Sequence, residues 1–358
     1  MIGLPIEAID TPTLWVDLNT MESNIQRVAQ YLREARVNWR PHTKGIKIPA
    51  IANLLIAAGA IGVTCAKLSE AEAMAQFGIR DILIANQVVG DAKLARLCAL
   101  NREADVMVAV DNLAVAQALS EKAQEIGVRV RVLVEVNIGM DRAGVEGGQP
   151  VVDLACRLAQ LPGLRFSGVM GWEGQVVAMQ DAQEKRLACE QAIRCLLDSA
   201  AACRAAGLDV PIVSCGGSGS FRITANLPGV TEVQAGGCIL GDVTYTRWGA
   251  GTTPALFVQT SITSRPAAGR AIVDAGRKTI NAEISMPAVK DRPLIQPVGF
   301  SAEHGTLKLL EDEPALQPGA KISLVAGYGD LTVFLHERLI GVRNGRIETV
   351  WPIPRAVA

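Results

Sequence analysis

Segments with the pattern of buried strands alternate with segments of helical spacing from about residue 10 to residue 245. The strand candidates are short, apolar and rich in β-branched residues, and Gly, Pro or polar residues bound each of them. The helical segments are rich in Ala, Leu, Glu and Arg, and the clearest cover residues 21–35 and 182–207. Strands that alternate with helices in this way predict βα units and a parallel sheet.

The number of strand candidates constrains the fold further. Eight βα units close a barrel, and the region holds nine candidates, so one of them is surplus. The first candidate is the natural outsider, because it could pair with a later domain. We therefore predict an α/β fold whose main unit is a (β/α)8 barrel of TIM type. The candidates are residues 13–18, 37–40, 61–66, 81–86, 106–110, 130–136, 166–172, 211–216 and 232–236.

The character of the sequence changes near residue 250, where long Ala-rich helices give way to short alternating runs. Such runs cover residues 270–276, 306–327 and 331–352. In the last of them, Asn344-Gly345 lies between strand formers, which is a strong signal for a β-hairpin. This part of the chain is therefore predicted to form a mostly antiparallel C-terminal β domain.

These patterns set the predicted domain boundaries. The barrel is expected to span residues 19–245. The β domain is expected to comprise residues 246–358 together with residues 1–18, whose strand would join it. No internal repeat, low-complexity tract or long linker interrupts this arrangement.

Composition excludes several classes of function. The chain has 35 Lys and Arg residues against 36 Asp and Glu, so it lacks the basic excess that would neutralise nucleic-acid phosphates. The first residues, MIGLPIEAIDTPTLW, lack the basic start and apolar core of a signal peptide. No apolar run approaches the roughly 20 residues of a membrane span. We expect a cytoplasmic protein that contacts neither nucleic acid nor membrane.

The eight cysteines carry no metal or disulfide pattern, since none of them form a CxxC pair. In a cytoplasmic protein such residues are reduced and behave as small, buried apolar side chains. They are Cys65, Cys98, Cys156, Cys189, Cys195, Cys203, Cys215 and Cys238.

Two glycine-rich turns follow the last strand candidates, where phosphate sites of barrel enzymes recur. The segments are CGGSGS (residues 215–220) and AGGC (residues 235–238). Backbone N–H groups at such turns, with nearby hydroxyls, can bind a phosphate dianion. The alternative is that the glycines only make tight βα turns. The candidate phosphate-binding residues are Gly217, Ser218, Gly219, Ser220, Gly236, Gly237 and Cys238.

The stretch RPHTKGIK (residues 40–47) places a lysine just after a buried strand candidate. An amine at such a strand end loses hydration, which makes Lys44 a better nucleophile and suits a Schiff base. The alternative is an exposed lysine in a barrel loop. A phosphate site together with an inward-facing lysine suits pyridoxal 5'-phosphate, an aldehyde that bears a phosphate.

Several stretches together resemble the D-threonine aldolase and D-serine dehydratase family. They are TPTLWVDLNTMESNI, RPHTKGIK, IGVTCAKLSEAEAMAQFGIRDILIANQVVG, VNIGMDRAGV and LPGVTEVQAGGCILGDVTY, and they occur in family order over residues 11–353. The resemblance implies the alanine-racemase-type fold, with pyridoxal phosphate on the barrel and a C-terminal β domain. It also implies a homodimer with shared active sites and a small D-amino acid as substrate.

The resemblance assigns roles to individual residues. Lys44 stands at the cofactor lysine of the RPHxK motif, and His42 would orient it. Arg142 matches the arginine that contacts the phenolic oxygen of the cofactor. Trp172 stands where a tyrosine of a YEG stretch is common, and the two glycine turns match the phosphate loops. The family motif commonly continues with Thr or Ala, then His and Lys; this chain departs from it at Gly45 and Ile46 and keeps Lys47.

Some members of the family also bind a divalent metal ion through a His-x-Cys or His-x-Asp pair. The corresponding stretch here is AGYGDLTVFLH, which has Tyr328 in place of the histidine and Asp330 at the acidic position. Protonated tyrosine is a poor metal ligand, whereas Asp330 could hold a largely hydrated Mg²⁺, Mn²⁺ or Zn²⁺. His304 matches a family SEEHG stretch and could supply a second ligand or an acid–base group. Without a metal, Tyr328 could form hydrogen bonds or transfer protons.

The favoured reaction is retro-aldol cleavage of a D-β-hydroxy amino acid to an aldehyde and glycine, with Lys44, His304, Tyr328 and Asp330 as catalytic candidates. One alternative is a D-serine or D-3-hydroxyaspartate dehydratase, which releases ammonia. Another is an amino acid racemase or epimerase, for which Tyr245, Tyr328 or His304 could supply the second base. A non-catalytic cofactor carrier is a further class, but such proteins resemble the barrel alone.

Overall fold

The computed structural model describes residues 1–311 and 313–354. Contacts divide these residues into two compact units. The barrel unit comprises Ala29–Lys44 and Pro49–Gly236, and the β unit comprises Met1–Val28, Gly45–Ile48 and the described residues from Gly237 onwards. Asp312 and residues 355–358, which the sequence assigns to the β domain, lie outside the described residues. The domain boundaries drawn from the sequence therefore stay a prediction.

Helices and strands alternate over the first part of the chain and strands dominate the rest. The helices are α1 (Leu18–Glu34), α2 (Pro49–Ala57), α3 (Leu68–Gln76), α4 (Asp91–Leu100), α5 (Leu113–Ile126), α6 (Gln149–Ala159), α7 (Ala182–Ala205), α8 (Phe221–Thr224), α9 (Val243–Arg247) and α10 (Gly329–Thr332). Single 3-10 turns cover Ile6–Ala8, Gly174–Val176, Gly237–Ile239 and Val333–Leu335.

The strands of the first part are β1 (Thr13–Asp17), β2 (Asn38–Trp39), β3 (Val63–Cys65), β4 (Asp81–Gln87), β5 (Asp105–Val110), β6 (Val130–Asn137), β7 (Val145–Glu146), β8 (Leu164–Met170), β9 (Ile212–Cys215) and β10 (Glu232–Val233). Those of the second part are β11 (Leu256–Ala267), β12 (Arg270–Val273), β13 (Ala288–Val289), β14 (Ile295–Phe300), β15 (Gly305–Leu309), β16 (Lys321–Val325), β17 (Arg338–Arg343) and β18 (Arg346–Pro352).

The barrel unit contains a parallel sheet in the order β2-β10-β9-β8-β6-β5-β4-β3. An isolated parallel bridge between His42 and Thr64 joins its two ends and closes the barrel. The closing hydrogen bonds run from Thr64 N–H to the Pro41 carbonyl (2.9 Å) and from Thr43 N–H to the Thr64 carbonyl (2.7 Å). The sequence prediction of an eight-stranded barrel followed by an antiparallel-rich β domain is confirmed.

The barrel strands read as continuous apolar runs because both of their faces are buried. Strand β6 is buried over seven of its eight residues. Helix ends agree with local chemistry: the Asn112 side chain accepts the N–H groups of the first turn of α5, and Gly127 ends that helix with φ +75°. Six of the eight cysteines are buried, which agrees with the sequence prediction of small, buried apolar side chains.

Charged residues near the starts of the strands form a buried network. The Arg40 guanidinium is 1 % exposed and donates to both carboxylate oxygens of Glu232 (3.1 Å each) and to Asp81 (2.9 and 3.2 Å). Arg131 extends the network by donating to Asp81 (2.7 Å) and Asp105 (2.6 Å). Burial alone would raise the pKa of Asp81, but the hydrogen bonds and charges of Arg40 and Arg131 lower it. Arg40 is thus held inside the barrel unit.

The β unit contains a largely antiparallel sheet in the order β14-β15-β12-β11-β1-β17-β18. Strand β1 pairs antiparallel with β11 and parallel with β17. The Asn344-Gly345 turn joins β17 to β18, and both of its residues have positive φ (+50° and +76°), which suits a tight hairpin turn. The packed apolar side chains of this unit include Trp15 and Phe257, whose ring centroids are 4.5 Å apart.

One strand-like run was assigned wrongly from the sequence. Residues 331–335, the start of the alternating run 331–352, form the end of α10 and the following 3-10 turn, so the strand begins only at Arg338. The Asp242 carboxylate accepts the N–H of Gly329 at 2.6 Å, which satisfies a donor at the start of α10. The Thr332 hydroxyl donates to the Tyr328 carbonyl at 2.8 Å. These side-chain contacts stabilise a helical turn in place of the strand that the alternation predicted.

His336 gives the β unit a pH-dependent contribution to stability. Its Nε2 donates to the Thr279 carbonyl at 2.8 Å, and burial lowers the pKa of the imidazole from its ordinary value of 6.5. A lowered folded-state pKa means that stability present above pH 6.5 is lost as pH falls below it. We expect the free energy of unfolding to fall more steeply below pH 6.5 in the wild type than in His336→Gln, measured by urea denaturation. Equal slopes would contradict this.

No helix in the ranges 1–311 and 313–354 combines the length and the apolar character needed to cross a lipid bilayer.

Candidate active site

Trp172 is the centre of a group of predicted cofactor residues in the barrel unit. The Lys44 Nζ atom lies 5.1 Å from the centroid of its ring, and the Arg142 guanidinium carbon lies 5.2 Å from it. A methyl group built on Gly217 would come within 2.9 Å of the Trp172 Nε1 atom. One indole ring therefore neighbours the predicted cofactor lysine, the predicted phenolate-binding arginine and the first glycine turn.

Arg142 is partly exposed and carries its charge beside a buried acid. Its Nη2 atom lies 4.0 Å from an oxygen of Glu135, whose other oxygen accepts the Gln87 amide at 2.5 Å. Burial raises the pKa of Glu135, and the Gln87 hydrogen bond and the Arg142 charge partly oppose that rise. With its side chain 52 % exposed, Arg142 can offer its guanidinium to a bound anion.

The lysine segment is held by hydrogen bonds from its neighbours. His42 Nδ1 accepts the backbone N–H of Lys44 at 3.3 Å, which fixes the chain direction at the lysine. The backbone N–H of His42 in turn donates to the Gln234 carbonyl at 2.9 Å. Gly236 packs directly against this segment, because a Cβ at that position would overlap the His42 carbonyl oxygen. Lys44 and His42 are both half-buried.

Glu173 organises the first glycine turn, a role that sequence reasoning did not assign. Its carboxylate is fully buried and accepts the Ser220 hydroxyl at 2.5 Å and the Gly216 N–H at 3.3 Å. Ser220 Oγ also accepts the Gly217 N–H at 3.0 Å. Burial raises the pKa of Glu173, and the hydrogen bonds from Ser220 and Gly216 partly oppose this.

The two glycine turns are tied together and fit a phosphate. The Gly236 N–H donates to Ser218 Oγ at 3.3 Å, which links them directly. Beside Gly216, whose φ is +73°, lies the Thr224 hydroxyl, which is fully buried and has no hydrogen-bond partner within the described residues. A buried hydroxyl in this state is expected where an external acceptor completes the site. The residues of the barrel unit therefore fit pyridoxal phosphate.

The close approach at Gly236 supports a steric prediction. Gly236→Ala would drive a methyl group into the backbone of His42, which cannot move without shifting the lysine segment. We expect at least about 10-fold weaker binding of pyridoxal phosphate, measured by spectroscopic titration of the apoprotein. Gly299→Ala is a matched control, because nothing lies within 4 Å of its added methyl group. Equal affinities in the two variants would contradict the prediction.

The β unit carries a second cluster, made of Tyr245, Tyr328 and Asp330. The Tyr245 hydroxyl donates to Asp330 Oδ1 at 2.7 Å, and the Tyr328 hydroxyl donates to Asp330 Oδ2 at 3.2 Å. Side chains on Gly45 and Gly237 would overlap the Asp330 carboxylate. Gly45, which departs from the family motif, thus provides room for Asp330.

Asp242 and a set of aromatic rings in tilted and edge-on contact fix this tyrosine–aspartate cluster. The buried Asp242 carboxylate accepts the N–H groups of Tyr245 and Gly329, both at 2.6 Å. Burial raises the pKa of Asp242 to about 8, although the backbone hydrogen bonds work in the opposite direction. Tyr245, Tyr328 and Trp248 form a triangle of rings whose centroids are 5.6–5.8 Å apart.

The cluster does not fit a divalent metal ion. Burial and the charge of Asp330 raise the pKa of both Tyr245 and Tyr328, so the phenols keep their protons and direct them at the carboxylate. A protonated phenol offers little to Mg²⁺, Mn²⁺ or Zn²⁺. Within the described residues, no group of three or more His, Cys, Asp or Glu side chains could hold a metal.

Most of the predicted site residues belong to one of these two groups, but His304 belongs to neither. His304 is exposed in the turn between β14 and β15, where its carbonyl accepts the Ser301 N–H at 2.8 Å. Glu173, Thr224 and Asp242 had no predicted role. The sequence contains a weak signal for two of them. Glu173 follows a strand and precedes a glycine, and Asp242 stands three residues before Tyr245, at a position where Asp often caps a helix.

The fold and these residues define a protein of the alanine-racemase fold class, with a barrel followed by a β domain. Residues 16–244 match the family model described as "Alanine racemase, N-terminal domain", and the chain belongs to this family. Residues 255–342 match the model described as "Putative serine dehydratase domain".

Relatives with assigned activities align over nearly the whole chain. A D-threonine aldolase of Arthrobacter sp. is 36 % identical over 98 % of this chain and 94 % of its own. A 3-hydroxy-D-aspartate aldolase of Paracoccus denitrificans (strain Pd 1222) is 33 % identical over 98 % of this chain and 93 % of its own. The crystal structure of D-threonine aldolase from Filomicrobium marinum superimposes with a TM-score of 0.96 at 37 % identity, covering 99 % and 97 % of the two chains.

Proposed function

We propose that the protein is a pyridoxal phosphate-dependent lyase that cleaves D-β-hydroxy amino acids into an aldehyde and glycine. The observation that carries this is the contact of the Trp172 ring with both Lys44 and Arg142, beside the first glycine turn. The D-threonine aldolase and 3-hydroxy-D-aspartate aldolase relatives support the reaction class. Pyridoxal phosphate, when bound, supplies the electron sink that accepts the electron pair left on Cα.

The residues of the barrel unit divide the binding task. Lys44 holds the cofactor covalently through its Nζ atom, and His42 orients the lysine backbone by accepting its N–H. Arg142 places a cation for the phenolic oxygen, and the Trp172 ring positions both cations. The turns that contain Gly217, Ser218, Gly219, Ser220 and Gly236 provide N–H groups and hydroxyls for the phosphate. Gly237 and Cys238, which the sequence also predicted for this role, belong to the β unit.

The catalytic residues must remove the proton of the substrate β-hydroxyl before the Cα–Cβ bond breaks. Of the three candidates, Tyr328 and Asp330 share a hydrogen bond in the β unit, whereas His304 lies in an exposed hairpin turn. A partly exposed carboxylate is a competent base for this proton. We assign the step to Asp330, with Tyr328 as its hydrogen-bond donor.

Two rival reactions use the same cofactor. A dehydratase acting on D-serine or D-3-hydroxyaspartate would release ammonia and a 2-oxo acid, and a racemase would produce the enantiomer. The match of residues 255–342 to a putative serine dehydratase domain keeps the dehydratase as the second candidate. The relatives named as aldolases, which cover nearly the whole chain, favour cleavage.

Product analysis tests the proposal. Purified protein saturated with pyridoxal phosphate is incubated with D-threonine, D-serine, D-3-hydroxyaspartate and, as a control, L-threonine. We expect equimolar aldehyde and glycine from the D-β-hydroxy substrates and no product from L-threonine. Ammonia with a 2-oxo acid, or the enantiomer alone, would overturn the aldolase assignment.

We also propose a cytoplasmic homodimer in which the partner chain contributes to each active site. The resemblance to the D-threonine aldolase and D-serine dehydratase family supports this assembly. Light scattering of the purified protein tests it, and a monomer that is fully active would contradict it.

A further inference from the structure

We propose that Tyr245 and Tyr328 take the place of a divalent metal ion by holding Asp330 as the base for the substrate β-hydroxyl, so that cleavage needs no metal. This inference rests on the proposed function. The chain has three tyrosines, and two of them donate to the same carboxylate.

The hydrogen bonds define the orientation of the carboxylate. Tyr245 donates to Oδ1 and Tyr328 to Oδ2, so rotation of the carboxylate would break both bonds. Gly45 and Gly237 leave the space that the carboxylate occupies, since any larger residue at either position would overlap it. Gly45 directly follows Lys44 in the chain.

The phenols are themselves held in the positions from which they donate to Asp330. Tyr245 is 4 % exposed, and its backbone N–H is bound by the Asp242 carboxylate. The Tyr328 ring packs against Tyr245 and Trp248, with centroid distances of 5.6 and 5.8 Å. Asp330 is only partly buried, which leaves it accessible to a substrate hydroxyl.

The chemistry balances without a metal. The hydroxyl proton passes to Asp330, the oxygen forms the aldehyde carbonyl, and the Cα–Cβ bond breaks. The bound cofactor would accept its electron pair until Cα takes up a proton from solvent and glycine is formed, and Asp330 returns its proton to solvent. A carboxylate has about four lone-pair sites, so two phenol donors leave it able to accept a proton. The phenol hydrogen bonds keep it in position during the transfer.

The experiment compares metal-free and metal-supplemented protein. Protein dialysed against EDTA and reloaded with pyridoxal phosphate is assayed with D-threonine, with and without Mn²⁺. Calorimetric titration with Mn²⁺ provides a readout that does not depend on activity. We expect cleavage to change less than about 2-fold with chelator, and no stoichiometric Mn²⁺ binding.

Variants separate the roles of the residues. Asp330→Asn is expected to lower kcat by about 10²–10⁴-fold, and Tyr328→Phe by about 10-fold with little change in KM. Tyr328→His restores an imidazole beside the carboxylate and should create Mn²⁺ binding and sensitivity to chelator. Tyr31→Phe is the matched control. The Tyr31 hydroxyl donates to the Arg222 carbonyl at 2.8 Å and accepts the Asn226 amide at 2.7 Å, outside this cluster, so its loss should leave kcat unchanged.

The outcomes separate a failure of the metal-free base from a failure of the proposed aldolase activity. Cleavage that is abolished by EDTA and restored by Mn²⁺ in the wild type would overturn the metal-free base while leaving the aldolase proposal intact. Unchanged kcat in Asp330→Asn would also overturn it. The absence of aldehyde under every condition would overturn the proposed function itself, and the base role with it.

Discussion

Lys44→Ala is expected to abolish aldehyde release, with a loss of at least about 10³-fold in kcat/KM, because the variant lacks the amine that holds pyridoxal phosphate. The same variant should lose the covalent cofactor that borohydride reduction traps, as measured by mass spectrometry. The prediction depends on the position of Lys44 Nζ, 5.1 Å from the Trp172 ring centroid.

Lys44→Arg is the matched variant, because it keeps a cation beside Trp172 but cannot form the covalent link. It should bind pyridoxal phosphate reversibly and remain nearly inactive. Lys47→Ala provides a second comparison within the same short segment, and it should retain the covalent adduct. A Lys44→Ala protein that still carried the adduct would refute the assignment and move attention to another lysine.

Arg40→Met is expected to produce the largest loss of stability. The substitution leaves Glu232, whose side chain is 2 % exposed, without the cation that it faces. Breaking a buried ion pair in this way costs about 3–5 kcal/mol, because one charge stays buried without compensation. The measurement is the urea midpoint of unfolding of the apoprotein, followed by circular dichroism.

Arg343 offers a close control on the surface of the β unit. Like Arg40, it pairs with two carboxylates, those of Glu22 and Glu348, but its side chain is 29 % exposed. Surface ion pairs contribute about 0–1 kcal/mol, so Arg343→Met should hardly move the midpoint. Equal shifts for the two arginines would show that burial does not decide the effect.

The barrel could be predicted because its strands are buried on both faces and therefore form continuous apolar runs in the sequence. Residues 130–136 were expected as a strand, and β6 covers Val130–Asn137 with all but its last residue buried. The hairpin at Asn344-Gly345 is equally local, since both residues adopt the positive φ that the turn demands. The prediction for residues 331–335 failed for the opposite reason, because a carboxylate distant in sequence, that of Asp242, stabilises the helical turn that begins at Gly329.

Site residues that belong to a short motif could be predicted from the sequence, whereas those whose partners are distant in sequence could not. Lys44, Arg142 and Trp172 were found through family motifs, and the structure places them around one ring. Glu173 was not assigned a role, because its partner Ser220 lies 47 residues further on. Tyr245 was considered only as a base for a racemase, since its contact with Asp330 spans 85 residues.

The junction between the two ends of the barrel sheet links folding to the binding of the cofactor. Strands β2 and β3 meet through one isolated bridge, and that bridge is made by His42, two residues before Lys44. This single-bridge junction therefore lies beside the lysine that we propose as the point of vitamin B6 attachment. Since a ligand that binds only the folded state stabilises it in proportion to the logarithm of its concentration, vitamin supply and the closure of the cylinder are thermodynamically linked.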